Sequence, residues 1–196
     1  MRGMARWRPG STGRLQQAAI ELFTENGYDA TTVADIAERA GVTERTFFRH
    51  YGDKREVLFA GQQEFQASFV GAIADAPPGT TAMDLAARAL DAACHALQEA
   101  RGRDRARARY AVITAHAALQ EREQLKLAVL ARAVTGALSA HGIPDLRARL
   151  AGDLVVSVFS TAFERWIAPG TTRDLVDLQH EALAELADLA GTVTAA

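Results

Sequence analysis

A single cysteine, Cys94, stands among 196 residues, so no disulfide can close within the chain, which suits a reducing compartment. It reads as a small buried apolar residue. Lysine is confined to Lys54 and Lys126 against twenty arginines, a bias of composition rather than of chemistry. Runs of β-branched residues are few, while alanine and leucine dominate, which points to an all-helical protein. No stretch approaches the ~18 uninterrupted apolar residues of a membrane helix. The N-terminus has no long apolar core of a signal peptide, and a soluble, cytoplasmic protein is expected. No Gly-x-Ser-x-Gly, Gly-x-x-x-x-Gly-Lys-Ser/Thr or Gly-x-Gly-x-x-Gly occurs. His50, His95, His116, His141 and His180 form no His-Glu-x-x-His pair, and Cys94 and His95 point about 100° apart on a helix. Neither catalysis, a metal nor a cofactor is expected. The net charge of −2 says nothing for nucleic acid, but its distribution does. Arg2, Arg6, Arg8 and Arg14 all precede the first acid, Glu21, so a flexible basic arm is expected over residues 1–10.

The stretch TTVADIAERAGVTERTFFRHYGDK, residues 31–54, organises the chain. Thr31 or Thr32 offers an N-cap, and Asp35 suits the first turn of the helix that follows. Val33, Ile36, Ala37 and Ala40 recur at helical spacing. Gly41 is a helix stop, Val42 plugs the turn, and Thr43 is a second N-cap. The next helix, TERTFFRHY, is short, aromatic and basic. Preceded by a helix over about residues 12–26, this makes a three-helix module with a helix-turn-helix pattern. On residues alone, an ordinary helical hairpin remains the alternative.

From Arg14 to Leu58, AAIELFTENGYDATTVADIAERAGV followed by TERTFFRHYGDKREVL resembles the DNA-binding domain of the tetracycline-repressor (TetR) family of bacterial transcription regulators. A capped helix, an Ile-Ala-x-x-Ala-Gly-Val turn, an aromatic recognition helix and a following lysine all match. The resemblance implies a ligand-responsive regulator, a repressor, that binds a palindromic double-stranded DNA operator as a homodimer. It implies that Thr43, Glu44, Arg45, Thr46, Phe48, Arg49, His50 and Tyr51 form the DNA-facing helix. Arg45 is the candidate for a bidentate guanine contact. Thr32 and Lys54 are expected to position the DNA backbone. Position 48 is Phe where the family has Tyr, and position 51 is Tyr where it has Phe.

About nine helices are expected, with a DNA-binding domain at 11–52 and a ligand-binding and dimerisation domain at 53–196. Asp53-Lys54-Arg55-Glu56 reads as a capping sequence for a fourth helix over 53–74 that links the two. Phe65, Phe69, Leu90, Tyr110, Ile113 and Trp166 are candidates to line a pocket for a small-molecule effector. The wide apolar stripes of the last two helices give Leu154, Val155, Val158, Phe159, Ala162, Leu178, Ala182 and Leu186 as a candidate dimer interface, with burial in the chain's own core as the alternative. Arg101, Arg103, Arg105, Arg107 and Arg109 divide between helix faces. They read as a solvated surface, or as including one inward anion-binding arginine. A protein-interaction module and a helical enzyme remain as other functional classes.

Overall fold

The computed structural model describes residues 10–193, so residues 1–9 of the expected basic arm lie outside the described residues. Among the described residues every regular element is helical. In order they are α1 (Ser11–Asn26), α2 (Val33–Arg39), α3 (Glu44–His50), a 3-10 turn (Glu56–Phe59), α4 (Gln62–Ala74), α5 (Ala82–Arg101), α6 (Arg103–Thr114), α7 (Ala117–Ala140), α8 (Asp145–Ile167) and α9 (Leu175–Val193). They divide into two compact units.

The smaller unit takes the chain through Ala60 and adds Ala108–Leu119, the later part of α6 and the start of α7. Its core joins Leu15 and Phe23 of α1, Ile36 of α2, Phe47 of α3, Leu58 of the 3-10 turn and Ile113 of α6. Tyr28 packs against Phe23 and against His116, both at 5.1 Å between ring centres. The expected division at residue 52 therefore differs from the structural one, because this core also needs Val57, Leu58 and Phe59. Arg109 is buried here, its Nε donating to the Leu58 carbonyl at 2.7 Å and its guanidinium lying over the Phe59 ring.

The expected continuous fourth helix is broken. Asp53 Oδ1 accepts the N–H groups of Arg55 (2.8 Å) and Glu56 (3.1 Å), so the acid does cap a turn, but that turn is 3-10. Gly61 then takes the left-handed conformation, φ +77°, and α4 starts afresh at Gln62. The unit boundary falls at that glycine.

The larger unit contains α4, α5, α8, α9 and most of α7. Leu85, Ala89, Leu90, Ala93, Cys94 and Leu97 make the buried side of α5, the side its 3.6-residue spacing marks. Gly152 of α8 lies against α7 so closely that a Cβ there would sit 2.8 Å from the Ala131 carbonyl oxygen. The arginine run has a use that sequence did not disclose. Arg107 donates to the carbonyls of Ile167 (2.6 Å) and Ala168 (3.2 Å), and Arg103 to those of Thr171 and Arg173. These carbonyls lie at and just beyond the end of α8, where backbone acceptors lack helical partners and cations are favoured. Arg103 and Arg107 are thus caps rather than a solvated patch, and Arg109, in the smaller unit, holds a carbonyl of that same unit's core.

Candidate nucleic-acid interface

The α2–turn–α3 segment is fixed by short-range bonds. Thr32 and Asp35 form a reciprocal cap: Asp35 N–H donates to Thr32 Oγ1 (3.2 Å), and Thr32 N–H and Oγ1–H both donate to Asp35 Oδ2 (2.8 and 2.7 Å). The Thr32 hydroxyl bond, and then the Thr32 backbone bond, hold the Asp35 carboxyl below its ordinary range. Gly41 ends α2 with φ +66°, and the Val42 N–H returns to the Ala37 carbonyl at 2.9 Å. Thr43 caps α3 by accepting the Thr46 N–H at 3.2 Å.

One side of α3 is anchored. Phe47 is fully buried, Tyr51 is nearly so, and their rings meet at 5.4 Å. The Tyr51 hydroxyl reaches the Thr12 carbonyl at 3.4 Å, which supplies the partner that a tyrosine at this position requires. His50 Nε2 lies 2.9 Å from Ser11 Oγ, a second tie between α3 and the start of α1. The other side is open: Glu44, Arg45, Phe48 and Arg49 are exposed, Thr46 is half-buried, and His50 stays exposed although it is tied to Ser11. Phe48 keeps 55% of its surface in water, an unusual cost for a large aromatic on a helix with so few residues. Arg45 and Arg49 form no salt bridge among the described residues, whereas Arg39, Arg55, Arg149, Arg165 and Arg173 each hold an acid. Two guanidinium forks and an exposed ring on one helical face suit base edges, phosphates and sugars in a major groove.

Lys54 is placed otherwise than expected. Its Nζ donates to the carbonyls of Tyr28 (2.8 Å), Thr31 (3.0 Å) and Asp29 (3.3 Å) and lies 4.3 Å from the centre of the Tyr28 ring. An ammonium has three donors, and here all three are spent on the α1–α2 connection. Lys54 therefore fastens the entry to α2 instead of presenting a phosphate ligand. Lys54→Ala is expected to lower stability by about 1–3 kcal/mol, measured by denaturant unfolding. The salt dependence of duplex binding should stay unchanged, and a slope reduced by about one would restore the phosphate role.

The other expected groups are dispersed or covered. Of the six pocket candidates, Tyr110 and Ile113 fall in the smaller unit, where Ile113 is core. Phe65, Phe69, Leu90 and Trp166 belong to the larger unit. There Phe65 meets Phe69 (5.0 Å) and Phe159 (5.1 Å), and Phe159 and Trp166 flank Phe163 at 5.8 and 6.1 Å. Of the eight dimer candidates, Val155, Val158, Phe159, Ala162, Leu178 and Ala182 are buried within one chain, and only Leu154 and Leu186 are half-buried. The apolar groups left open on these two helices are Leu146, Leu150 and Leu189, each at least 62% exposed.

Residues 15–60 match the family model described as bacterial regulatory proteins, tetR family. The chain is 41% identical over 66 residues to the HTH-type transcriptional regulator TcmR of Streptomyces glaucescens, covering 34% of this chain and 29% of that protein. It is 35% identical over 69 residues to the HTH-type transcriptional activator FasR of Mycolicibacterium smegmatis, covering 35% of this chain and 32% of that protein. The matched stretch thus spans under a third of either relative's length. In fold, the chain is similar to the SmeT–triclosan complex, with a TM-score of 0.63 at 18% identity over 89% of this chain and 88% of that one. It is also similar to the regulator FadR from Bacillus subtilis in complex with stearoyl-CoA, with a TM-score of 0.57 at 21% identity over 88% and 95%.

Proposed function

Because the chain belongs to the tetR family of bacterial regulatory proteins, we propose that it is a repressor that binds a palindromic operator as a homodimer and is released by a small-molecule effector. The observation that carries the reading is the outward face of α3, where Arg45, Phe48 and Arg49 are exposed while Phe47 and Tyr51 hold the helix from behind. Arg45 reads a guanine through O6 and N7; Thr43, Thr46, Arg49 and His50 serve phosphates or base edges; Phe48 contacts sugar or a thymine methyl. Glu44, beside Arg45, supplies an acceptor for a cytosine amine. The larger unit holds the effector, and its apolar aromatic row from Phe65 to Trp166 favours a hydrophobic molecule. Of the two solved structures of similar fold named above, one holds triclosan and the other stearoyl-CoA, whose acyl chain is apolar. An effector that prefers one arrangement of the protein shifts it away from the DNA-binding one.

Arg45→Ala is the test. Titration against operator and random duplexes at fixed salt should show a loss of about 1–3 kcal/mol on the operator, with relaxed preference at one position. Equal loss on both duplexes would remove the base-reading role.

The dimer face is assigned to Leu146, Leu150 and Leu154 of α8 with Leu186 and Leu189 of α9. The short connection from Ile167 to Leu175 returns α9 alongside α8, so the start of one helix adjoins the end of the other. Isolated exposed leucines are ordinary, but Leu146, Leu150 and Leu154 repeat at every fourth residue of α8, and α9, which packs on α8, adds Leu186 and Leu189. Leu150→Arg with Leu189→Arg should convert a sedimenting dimer to a monomer without loss of helical circular dichroism, since both positions are exposed within the chain. A double variant that still sediments as a dimer would rule this face out.

A further inference from the structure

Gln179 of α9 is fully buried, and neither its Oε1 nor its Nε2 has a hydrogen-bond partner. A carboxamide carries two donors and two acceptor lone pairs, and interiors rarely leave such groups unmatched. Its surroundings are held firmly. One turn before it, the Leu175 N–H donates to Gln98 Oε1 (2.9 Å) and Gln98 Nε2 donates to Asp174 Oδ1 (3.0 Å). Just after it, His180 Nε2 lies 2.7 Å from Asp91 Oδ1. Both ties run to α5, so Gln179 is bracketed at the level of α5 that carries the buried Cys94. On the other side, the Arg165–Glu181 ion pair (2.8 Å) sets this stretch of α9 alongside the last turns of α8, where Phe163 and Trp166 are buried.

The local charge selects the ligand. Asp91 is paired with His180 and Asp174 accepts from Gln98, while the Cys94 thiol on the same stretch of α5 is pushed up to about 12, first by burial and then by Asp91. Such an interior disfavours an anion. Leucine or methionine would fill this position without stranding polar atoms, so a glutamine here is explained by a polar partner that arrives from outside.

We propose that Gln179 is the polar anchor of a ligand site in the larger unit, and that it pairs with an uncharged ligand whose apolar body carries a donor and an acceptor side by side, as in a lactam or a carboxamide. Gln179 Oε1 accepts the ligand N–H while Nε2–H donates to the ligand carbonyl. The inference rests on the effector-binding role proposed for the larger unit and adds the chemical class of the effector.

The test compares 2-quinolinone, a bicyclic lactam, with naphthalene, the same shape without the amide, on the full chain by calorimetric or fluorescence titration. The lactam should bind wild type roughly 10-fold or more tightly than naphthalene, the scale of two buried hydrogen bonds gained. In Gln179→Met the ratio should fall to about one, while the melting temperature of the free protein should hold or rise. If Gln179→Met loses its helical circular dichroism, Gln179→Leu takes its place, and loss of fold in both would overturn the inference by making the amide structural. A wild-type ratio near one, a ratio that survives the substitution, or no binding of either compound would also overturn it. Duplex binding measured in parallel separates the two readings. Wild type that binds no duplex defeats the regulator, whereas an absent lactam preference defeats only the anchor.

Discussion

Phe47→Ala should cost about 3–5 kcal/mol and abolish operator binding. The ring is fully buried in the smaller unit, touches Tyr51 at 5.4 Å and Phe48 at 5.5 Å, and shares its core with Leu15 and Ile36. A helix as short as α3 has little stability of its own, so it exists because Phe47 is packed. Removing the ring leaves a cavity beneath the recognition surface and frees the helix that must carry Arg45. Denaturant unfolding followed by circular dichroism gives the loss, and a change below about 1 kcal/mol would mean that Phe47 is not the anchor. Phe48→Ala is the contrast. Its ring is already exposed, so stability should shift by no more than about 0.5 kcal/mol, while operator affinity falls.

The second large effect lies in the DNA. Two identical recognition helices related by a two-fold axis require a roughly palindromic operator whose half-site centres lie ~10 base pairs apart or a multiple of that. Inserting about five base pairs between half-sites turns one of them half a helical repeat away. The Gly41–Val42 turn is closed by backbone bonds and α3 is tied to α1 through Tyr51 and His50, so α3 does not turn independently of its own unit. Affinity should fall toward the non-specific level, a loss on the order of 10³-fold or more. Titration of the operator and its spacer variants at fixed salt measures it, and unchanged affinity would show that the two helices are not rigidly coupled.

What could be read from sequence was local. The caps at Thr32 and Thr43 and the stop at Gly41 are set by neighbours within four residues, and each is legible. So are the nine α-helices of the described residues and most of their breaks, which glycine and proline mark. What escaped depends on residues distant in sequence. Lys54 reads as a phosphate ligand because the three carbonyls that accept its hydrogen bonds lie 23 to 26 positions earlier. Arg103 and Arg107 read as surface charge because the end of α8 that they cap lies 60 to 70 positions later. VLFAGQQEF keeps an apolar rhythm through Gly61 and so reads as one continuous helix, whereas the left-handed Gly61 separates a 3-10 turn from α4. The interface candidates divide for a related reason, six buried in the chain's own core and Leu154 and Leu186 half-buried. An apolar stripe shows that a face is buried and does not show by whom, and Val155, Phe159 and Ala162 are covered by their own chain.

Selection of bound duplexes from a random pool by the purified full-length chain puts the regulator reading to the test in one experiment. The account requires an enriched inverted repeat, with half-sites separated by a whole number of helical turns and a guanine in each whose enrichment disappears with Arg45→Ala. A pool that remains random after repeated rounds, or an enriched sequence with no two-fold symmetry, would contradict it.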